Sequence, residues 1–437
     1  MSIPTLLTSQ TLDPDVPGAS STPPAKHHIQ RPASRFALLW AATTASALAS
    51  AIVKIALPLA ALAQTRAPLS VAAVTFALNL PWLLASVPAG ALVDRLDRRT
   101  FALAATTLRL VALGLLALPM FITLPRLSLL YLVALLLGLA DVGADAAFNV
   151  LTPMVTPHER LEHANTWLIG AQQVIEVIGS PLGAMLIAAG LLLTTGAGAM
   201  ASVAALVALL CLGGAFHPRR LHLPSGHKER RHLLGDLLDG FRVLLRQRIL
   251  LTLAVMAAVI NACWSAWMAV FALYAVAPGP LRLTATQYGL LFGVGGVGGL
   301  GGALLAPLVF RRLGRRWAIG LNILCNCLML LMTAFTINIW LVGAAILLGN
   351  STGPLWTIAA TALLQRMVPT ANLGRVRAAY QVLGVGAEAL GPILGGVAAE
   401  LVGVRAVFLG GGLLTALMFI PFALIVTERA MAGAPSE

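Results

Sequence analysis

LLGLADVGADAAFNVLTPMV, residues 136–155, is met again as LLGNSTGPLWTIAATALLQRMV at residues 347–368. Gly138 and Gly349 differ by 211 in number, and the same offset carries Pro181 of GSPLGA onto Pro392 of LGPILGG. Register held that far marks a duplicated structural unit. LVDRLDRR from Leu92 likewise resembles LVFRRLGRR from Leu308, at an offset larger by five or six, which a short indel explains. The chain therefore consists of two parallel repeats, the second beginning in the same orientation as the first.

Hydropathy says what the repeats are made of. The 437 residues are 59% hydrophobic and only 10% charged, against about 25% charged in soluble domains; mean hydropathy is +0.89. Apolar runs long enough to cross a hydrocarbon core of about 30 Å as helices recur from Arg35 almost to the C-terminus. They predict an all-α membrane protein with twelve transmembrane helices, at 36–63, 70–93, 100–119, 127–150, 165–190, 196–216, 249–275, 286–309, 317–336, 339–363, 375–401 and 404–426. The predicted organisation is a disordered cytoplasmic tail (1–34), a six-helix half (35–216), a basic cytoplasmic linker (217–248), a second six-helix half (249–427) and a short cytoplasmic tail (428–437). Within the linker, HLLGDLLDGFRVLLRQ from His232 spaces its leucines as an amphipathic helix lying on the membrane surface.

A net charge of +13 would suggest nucleic acid in a soluble protein, but the positions of the cations point to a bilayer. Only Arg66, Arg126, Arg282 and Arg405 fall in the alternate breaks between spans, and Lys54 and Arg109 fall within spans. Placing the other cations inside puts both termini in the cytoplasm, leaves no basic face for nucleic acid, and makes the lipid bilayer the first partner. The proline- and serine-rich start has no run suited to a cleaved signal peptide. Cys211, Cys263, Cys325 and Cys327 lie in apolar runs without His or carboxylate neighbours in sequence, so no metal site is expected.

GALVDRLDRR from Gly90, between the second and third spans, resembles the cytoplasmic signature of the major facilitator superfamily, G-x-x-x-D-R-x-G-R-R. It matches at Gly90, Asp94, Arg95, Arg98 and Arg99, with Asp97 where the signature has Gly. Gly170, Gly179, Pro181 and Gly183 of the fifth span resemble that superfamily's antiporter motif, with Gly391, Pro392, Gly395 and Gly396 as counterpart in the eleventh. LPLAALAQTRAPLSVAAV, the DRLDRR loop and VTPHERLEHAN are similar to the branch of enterobactin and macrolide exporters. The resemblance implies alternating access by two rocking halves, a cytoplasmic gate at Asp94 and Arg95, and export in exchange for protons across a bacterial inner membrane by a monomer. That branch often has an acid in the first span where this chain has Ser50, so coupling is not expected through that position.

Ionisable side chains inside a bilayer cost about 2.5–3.5 kcal/mol each on insertion scales and mark function. Here they are Lys54, Arg109, Asp141, Asp145, Glu176 and Glu388. Asp141 and Asp145, one turn apart on one helix face, read either as a proton site or, with Arg109 on the adjacent span, as a structural ion pair; Asp145 could also gate or snorkel. Glu176 and Glu388 precede the Gly-Pro sequences of their repeats and read as a pair that exchanges protons as a seam opens, or as protonated carboxyls bonded to Gln172 or Gln173. Lys54 either snorkels or meets an anionic group. In the family fold Trp264, Trp267 and Trp356 would wall the substrate cavity, with Gln172 and Gln173 beside it.

No nucleotide-binding signature or catalytic cluster is present, so no enzyme and no cofactor are expected. The expected function is proton-coupled export of a small amphiphilic molecule such as a drug, macrolide, siderophore or secondary metabolite. An importer of a metabolite or siderophore, or a non-transporting receptor or scaffold, are the alternatives. Uncharged counterparts of Asp94, Asp141 and Asp145, namely Phe310, Thr352 and Trp356, place most of the proton chemistry in the first half.

Overall fold

A computed structural model describes residues 32–118, 126–157, 160–213 and 233–428. The expectations for 1–31, 217–232 and 429–437, and those for the side chains of Asp94 and Arg95, lie outside the described residues. The helices are α1 (Pro32–Leu62), α2 (Pro68–Arg95), α3 (Arg98–Ala117), α4 (Arg126–Val155), α5 (Leu161–Ala189), α6 (Leu191–Cys211), α7 (Leu233–Arg246), α8 (Arg248–Ala275), α9 (Ala285–Phe335), α10 (Ile339–Ser351), α11 (Gly353–Met367), α12 (Thr370–Val402), α13 (Val404–Leu417) and α14 (Phe419–Ile425).

Among the described residues, eleven segments are long and apolar enough to cross a membrane, with α10 and α11 forming one and α13 and α14 another. The 51-residue α9 is two helices, because Gly314 at φ 77°, ψ 170° breaks it. Its parts, 285–313 and 315–335, each reach the roughly 20 residues that a crossing needs, which is consistent with twelve crossings. The expected gap between the fifth and sixth spans shrinks to Gly190 at φ 144°. Thr194 and Thr195, which look like loop residues in sequence, are helical, their hydroxyls donating to the carbonyls of Gly190 and Leu192 at 3.1 and 3.0 Å.

Each half packs alike. In the first, α1 packs on α5 and α6, and α3 on α4 and α6; in the second, α8 packs on α12 and α13, and α9 on α10, α11 and α13. A Cβ at Gly183 would sit 2.5 Å from the Ile52 carbonyl on α1, and one at Gly395 would sit 2.8 Å from the Ala266 Cβ on α8. Gly179 and Gly391 make the preceding contacts of the same two pairs, against Ala51 and Ala262. These glycines therefore seal helices within each half, whereas the sequence suggested a seam between halves. They also set the repeat offset here at 212, so Glu176 and Glu388 are counterparts while Pro181 and Pro392 are one position apart.

The seams between halves run along α5 and α9 and along α2 and α12. Here the close approach comes from the glycine run of α9, which sequence reading passed over. A Cβ at Gly293 would lie 2.7 Å from the Pro181 ring, and one at Gly296 would lie 2.9 Å from the Val177 Cα; across the other seam, Gly396 sits against Ala72. Gly293→Val is expected to cost about 1–3 kcal/mol by overpacking, seen as a lower melting temperature of purified protein. Gly301→Ala, with open space around it, should melt like the wild type.

Apolar packing divides the molecule along its long axis. One core joins both halves at the end bearing the α1–α2 and α8–α9 connections, including Leu57 and Val71 of the first half and Phe271, Tyr274 and Tyr288 of the second. There the Arg66 guanidinium donates to the carbonyls of Val276 and Ala277. At the opposite end the halves have separate cores, one around Leu39, Leu151 and Leu209 and the other around Leu250, Ile323 and Phe422. The halves are thus shut together at one end and apart at the other.

The expected surface helix is present as α7, but one face of it docks on protein. Leu244 is fully buried, Gly240 abuts the Arg375 carbonyl on α12, and Asp239 lies 3.9 Å from Arg375. Leu238 and Leu245 remain exposed on α7. A helix with a leucine face and a glycine can pack on a neighbouring helix as readily as on lipid, and the periodicity alone does not choose.

Candidate functional site

A cavity of about 500 Å³ lies between the halves, lined from α1, α2, α3, α4, α5, α8, α9, α10 and α11. Its first-half wall is charged. Helical spacing brings Ser46, Ser50 and Lys54 of α1 to the face where α4 presents Asp141 and Asp145. Arg109 reaches the same point from α3.

Arg109 is 1% exposed, so its fixed positive charge must be answered locally. Its Nη2 donates to Asp141 Oδ1 at 2.7 Å, and its Nη1 donates to the Ser46 hydroxyl at 2.5 Å and the Ser46 carbonyl at 3.2 Å. Ser50 donates its hydroxyl to the same Asp141 oxygen at 2.6 Å, and Lys54 Nζ lies 3.7 Å from Oδ2. Asp141 is thus ion-paired with Arg109 in this structure. Ser50 supplies a donor to the Asp141 carboxylate. Lys54 points into the cavity and does not snorkel.

Asp145, one turn along α4, stands apart from that network and takes a hydrogen bond from Asn149 Nδ2 at 3.0 Å. It lines the cavity, as do Glu176, Gln172 and Gln173 of α5. Beside the Arg109–Asp141 pair, the lining holds two further carboxyl groups and the Lys54 ammonium. Glu388 is partly buried and not among the lining residues, although the Lys54 ammonium is within electrostatic reach of it. The expected symmetric pair of glutamates is therefore unequal: only Glu176 meets the cavity.

The lining is also aromatic. Trp264 and Phe292 come from the second half, and Trp82, which the sequence reading did not single out, comes from α2 of the first. Trp267 reaches the lining but is 1% exposed, stacked on Phe271 at 4.5 Å between ring centres, with its indole N–H on Thr333. It is mainly core. Trp356 lines a separate chamber.

At the open end, the residues of the DRLDRR loop divide their work. Gly90 has open space where a Cβ would be, so no close approach demands glycine. Asp97 is the N-cap of α3, its carboxylate accepting from the Thr100 N–H at 2.9 Å. It turns the chain at φ −64°, where its second-half counterpart Gly314 uses φ 77°. Two chemistries therefore make equivalent turns, which explains why Asp can stand where the signature has Gly.

Arg99 donates to the Leu209 and Leu210 carbonyls, both at 2.7 Å, capping the end of α6. Its counterpart Arg316 donates to the Val426 carbonyl at 2.7 Å, at the end of α14. The residues differ by 217 in both pairs, Arg99 and Arg316 as well as Leu209 and Val426, so the same pin is built twice. A cation on helix C-terminal carbonyls is worth about 0.3–2 kcal/mol. Arg99→Ala and Arg316→Ala should each lower the melting temperature, with additive effects in the double variant, because the pins lie in separate halves. A double variant no worse than either single would contradict the independence of the pins.

Comparison with known proteins agrees with this architecture. Residues 39–384 and 266–437 match the family description Major Facilitator Superfamily. An uncharacterized MFS-type transporter of Sinorhizobium fredii, y4rN, is 30% identical over 281 residues, 62% of this chain and 65% of that protein. The multidrug efflux pump Tap of Mycolicibacterium fortuitum is 27% identical over 85% of this chain and 90% of its own. The enterobactin exporter EntS of Escherichia coli is 27% identical over 78% and 80%. Among solved structures, the nucleoside transporter NupG superposes with a TM-score of 0.68 at 14% identity, covering 91% of this chain and 99% of its own. A bacterial homologue of the iron transporter ferroportin, in an inward-facing state, does so with 0.68 at 20%, over 90% and 100%.

Proposed function

Because the chain belongs to the Major Facilitator Superfamily, and is a transporter instead of an enzyme, we propose that it exports small amphiphilic cations in exchange for protons. The observation that carries this reading is the cavity wall: Asp145 and Glu176 line the cavity, outside the Arg109–Asp141 hydrogen-bond network. A carboxylate there can hold a proton or a cationic substrate, and each excludes the other. That exclusion is the coupling. Trp264, Trp82 and Phe292 supply the apolar walls and ring faces that an amphiphilic cation uses.

The positive-inside rule supports cytoplasmic termini in a bacterial inner membrane. In that orientation the shared core and the Arg66 contacts close the outer side, and the cavity opens inward, ready to load from the cytoplasm. Export is supported by the names of Tap and EntS. Inside-out vesicles containing the protein and energised to be acidic inside should accumulate tetraphenylphosphonium, and an uncoupler should abolish that accumulation. Accumulation driven only in right-side-out vesicles would reverse the direction, and none in either would remove cation transport.

A further inference from the structure

We propose that a second chamber, inside the second half, is a subsite for an uncharged, hydroxyl-bearing group of the substrate, such as a sugar-like ring. The proposal extends the transport reading above by assigning a second part of the substrate to a second place. The chamber measures about 230 Å³ and meets the central cavity at Trp264 and Asn350, which line both. Whole-ligand pockets run to about 300–1,000 Å³, so this one takes a substituent instead of a whole molecule.

Its lining differs in kind from the charged wall of the first half. Four carboxamides line it, Asn261, Asn322, Asn326 and Asn350, and no ionisable side chain does among the described residues. Arg109 of the first half corresponds to Asn326 at the offset of 217 that relates the two arginine pins. Each carboxamide spends one N–H on the protein: Asn322 on the Thr352 hydroxyl at 3.2 Å, Asn326 on the Asn322 carbonyl at 3.0 Å, Asn350 on the Ile346 carbonyl at 2.9 Å and Asn261 on the Gly384 carbonyl at 3.4 Å. Among the described residues no donor takes up their side-chain oxygens, and each amide has a second N–H. At membrane depth such groups need partners.

α10 passes into α11 at Thr352, whose φ −96° and ψ −11° keep the chain close to helical, so the two form one crossing along this wall. Trp264 and Trp356 add two indoles to the same space. Carboxamides that both donate and accept, with aromatic faces and no charge, suit hydroxyls on a ring and reject ions.

The test uses the full chain in lipid nanodiscs and equilibrium dialysis of two neutral probes sharing one arene, 4-nitrophenyl β-D-glucopyranoside and 4-nitroanisole, corrected for binding to empty nanodiscs. Wild-type protein should bind the glucoside about tenfold more tightly, the worth of one or two hydrogen bonds. Asn261→Leu and Trp356→Leu, which line only this chamber, should each erase that preference while leaving tetraphenylphosphonium binding intact. Should Asn261→Leu also lose tetraphenylphosphonium, and so fail to fold, Trp356→Leu decides. A wild type with no preference for the glucoside, or a preference that survives Trp356→Leu, overturns the subsite. Loss of tetraphenylphosphonium binding in the wild type would instead overturn the cation reading and leave the glucoside result to stand or fall alone.

Discussion

Asp145→Asn is expected to abolish proton-coupled transport while leaving the protein folded and able to equilibrate substrate down its own gradient. Among the described residues the hydrogen bond of Asp145 is to Asn149 of its own helix, so an amide of the same shape removes a charge and a proton carrier without breaking a hydrogen bond between helices. Glu176→Gln, on the facing α5, should weaken cation affinity and slow exchange by a smaller factor, because Asp145 remains. Proteoliposomes with an internal pH dye give the readout: an imposed tetraphenylphosphonium gradient should drive proton movement in the wild type and none in Asp145→Asn. Wild-type proton movement in Asp145→Asn and in the double variant would show that the coupling group lies elsewhere, with Glu388 next to be examined.

Arg109→Met should be the most damaging single change to stability. It strips Asp141 of its 2.7 Å partner in a site where the aspartate is only 9% exposed, and breaking a buried pair from one side costs about 3–5 kcal/mol. Asp141→Leu leaves Arg109 stranded and should be comparably poor. The double variant Arg109→Met with Asp141→Leu should recover most of the loss, since an apolar pair of similar size is often neutral in such a place. Melting temperatures of the four proteins in one detergent measure this. A double variant that falls by the sum of the singles would mean that the two residues do not act as a pair. In the recovered double variant, loss of transport would separate a placing role for the pair from its structural one.

The fold was largely legible because hydropathy, the spacing of the cations and the duplicated segments all report the same architecture. Where it was not legible, the cause is local. Thr194 and Thr195, read as a gap between the fifth and sixth spans, stay helical by bonding their own backbone, whereas the break at Gly314 falls inside the arginine-rich gap that the sequence marks. The repeat register was out by one residue in the eleventh span because two prolines align as readily as two glycine pairs, and only packing on α1 and α8 distinguishes them.

The charged residues of the site were found because ions are rare inside a bilayer, but their roles depended on partners. Asp141 and Asp145 look alike in sequence, and Arg109 with Ser46 and Ser50 makes them different. Trp82 and the α9 glycines carried no signal beyond being apolar and small. The charge asymmetry between halves, visible as Asp141 against Thr352, takes physical form as an ionic network on one side and a carboxamide chamber on the other.

The central claim is that proton and cation compete for one cavity wall. Its most direct measurement is proton release from purified, weakly buffered protein as tetraphenylphosphonium is titrated in. The account predicts proton release on cation binding, its loss in Asp145→Asn, and by reciprocity a weaker cation affinity as pH falls. Saturable cation binding with no proton released, and with an affinity independent of pH, would contradict it.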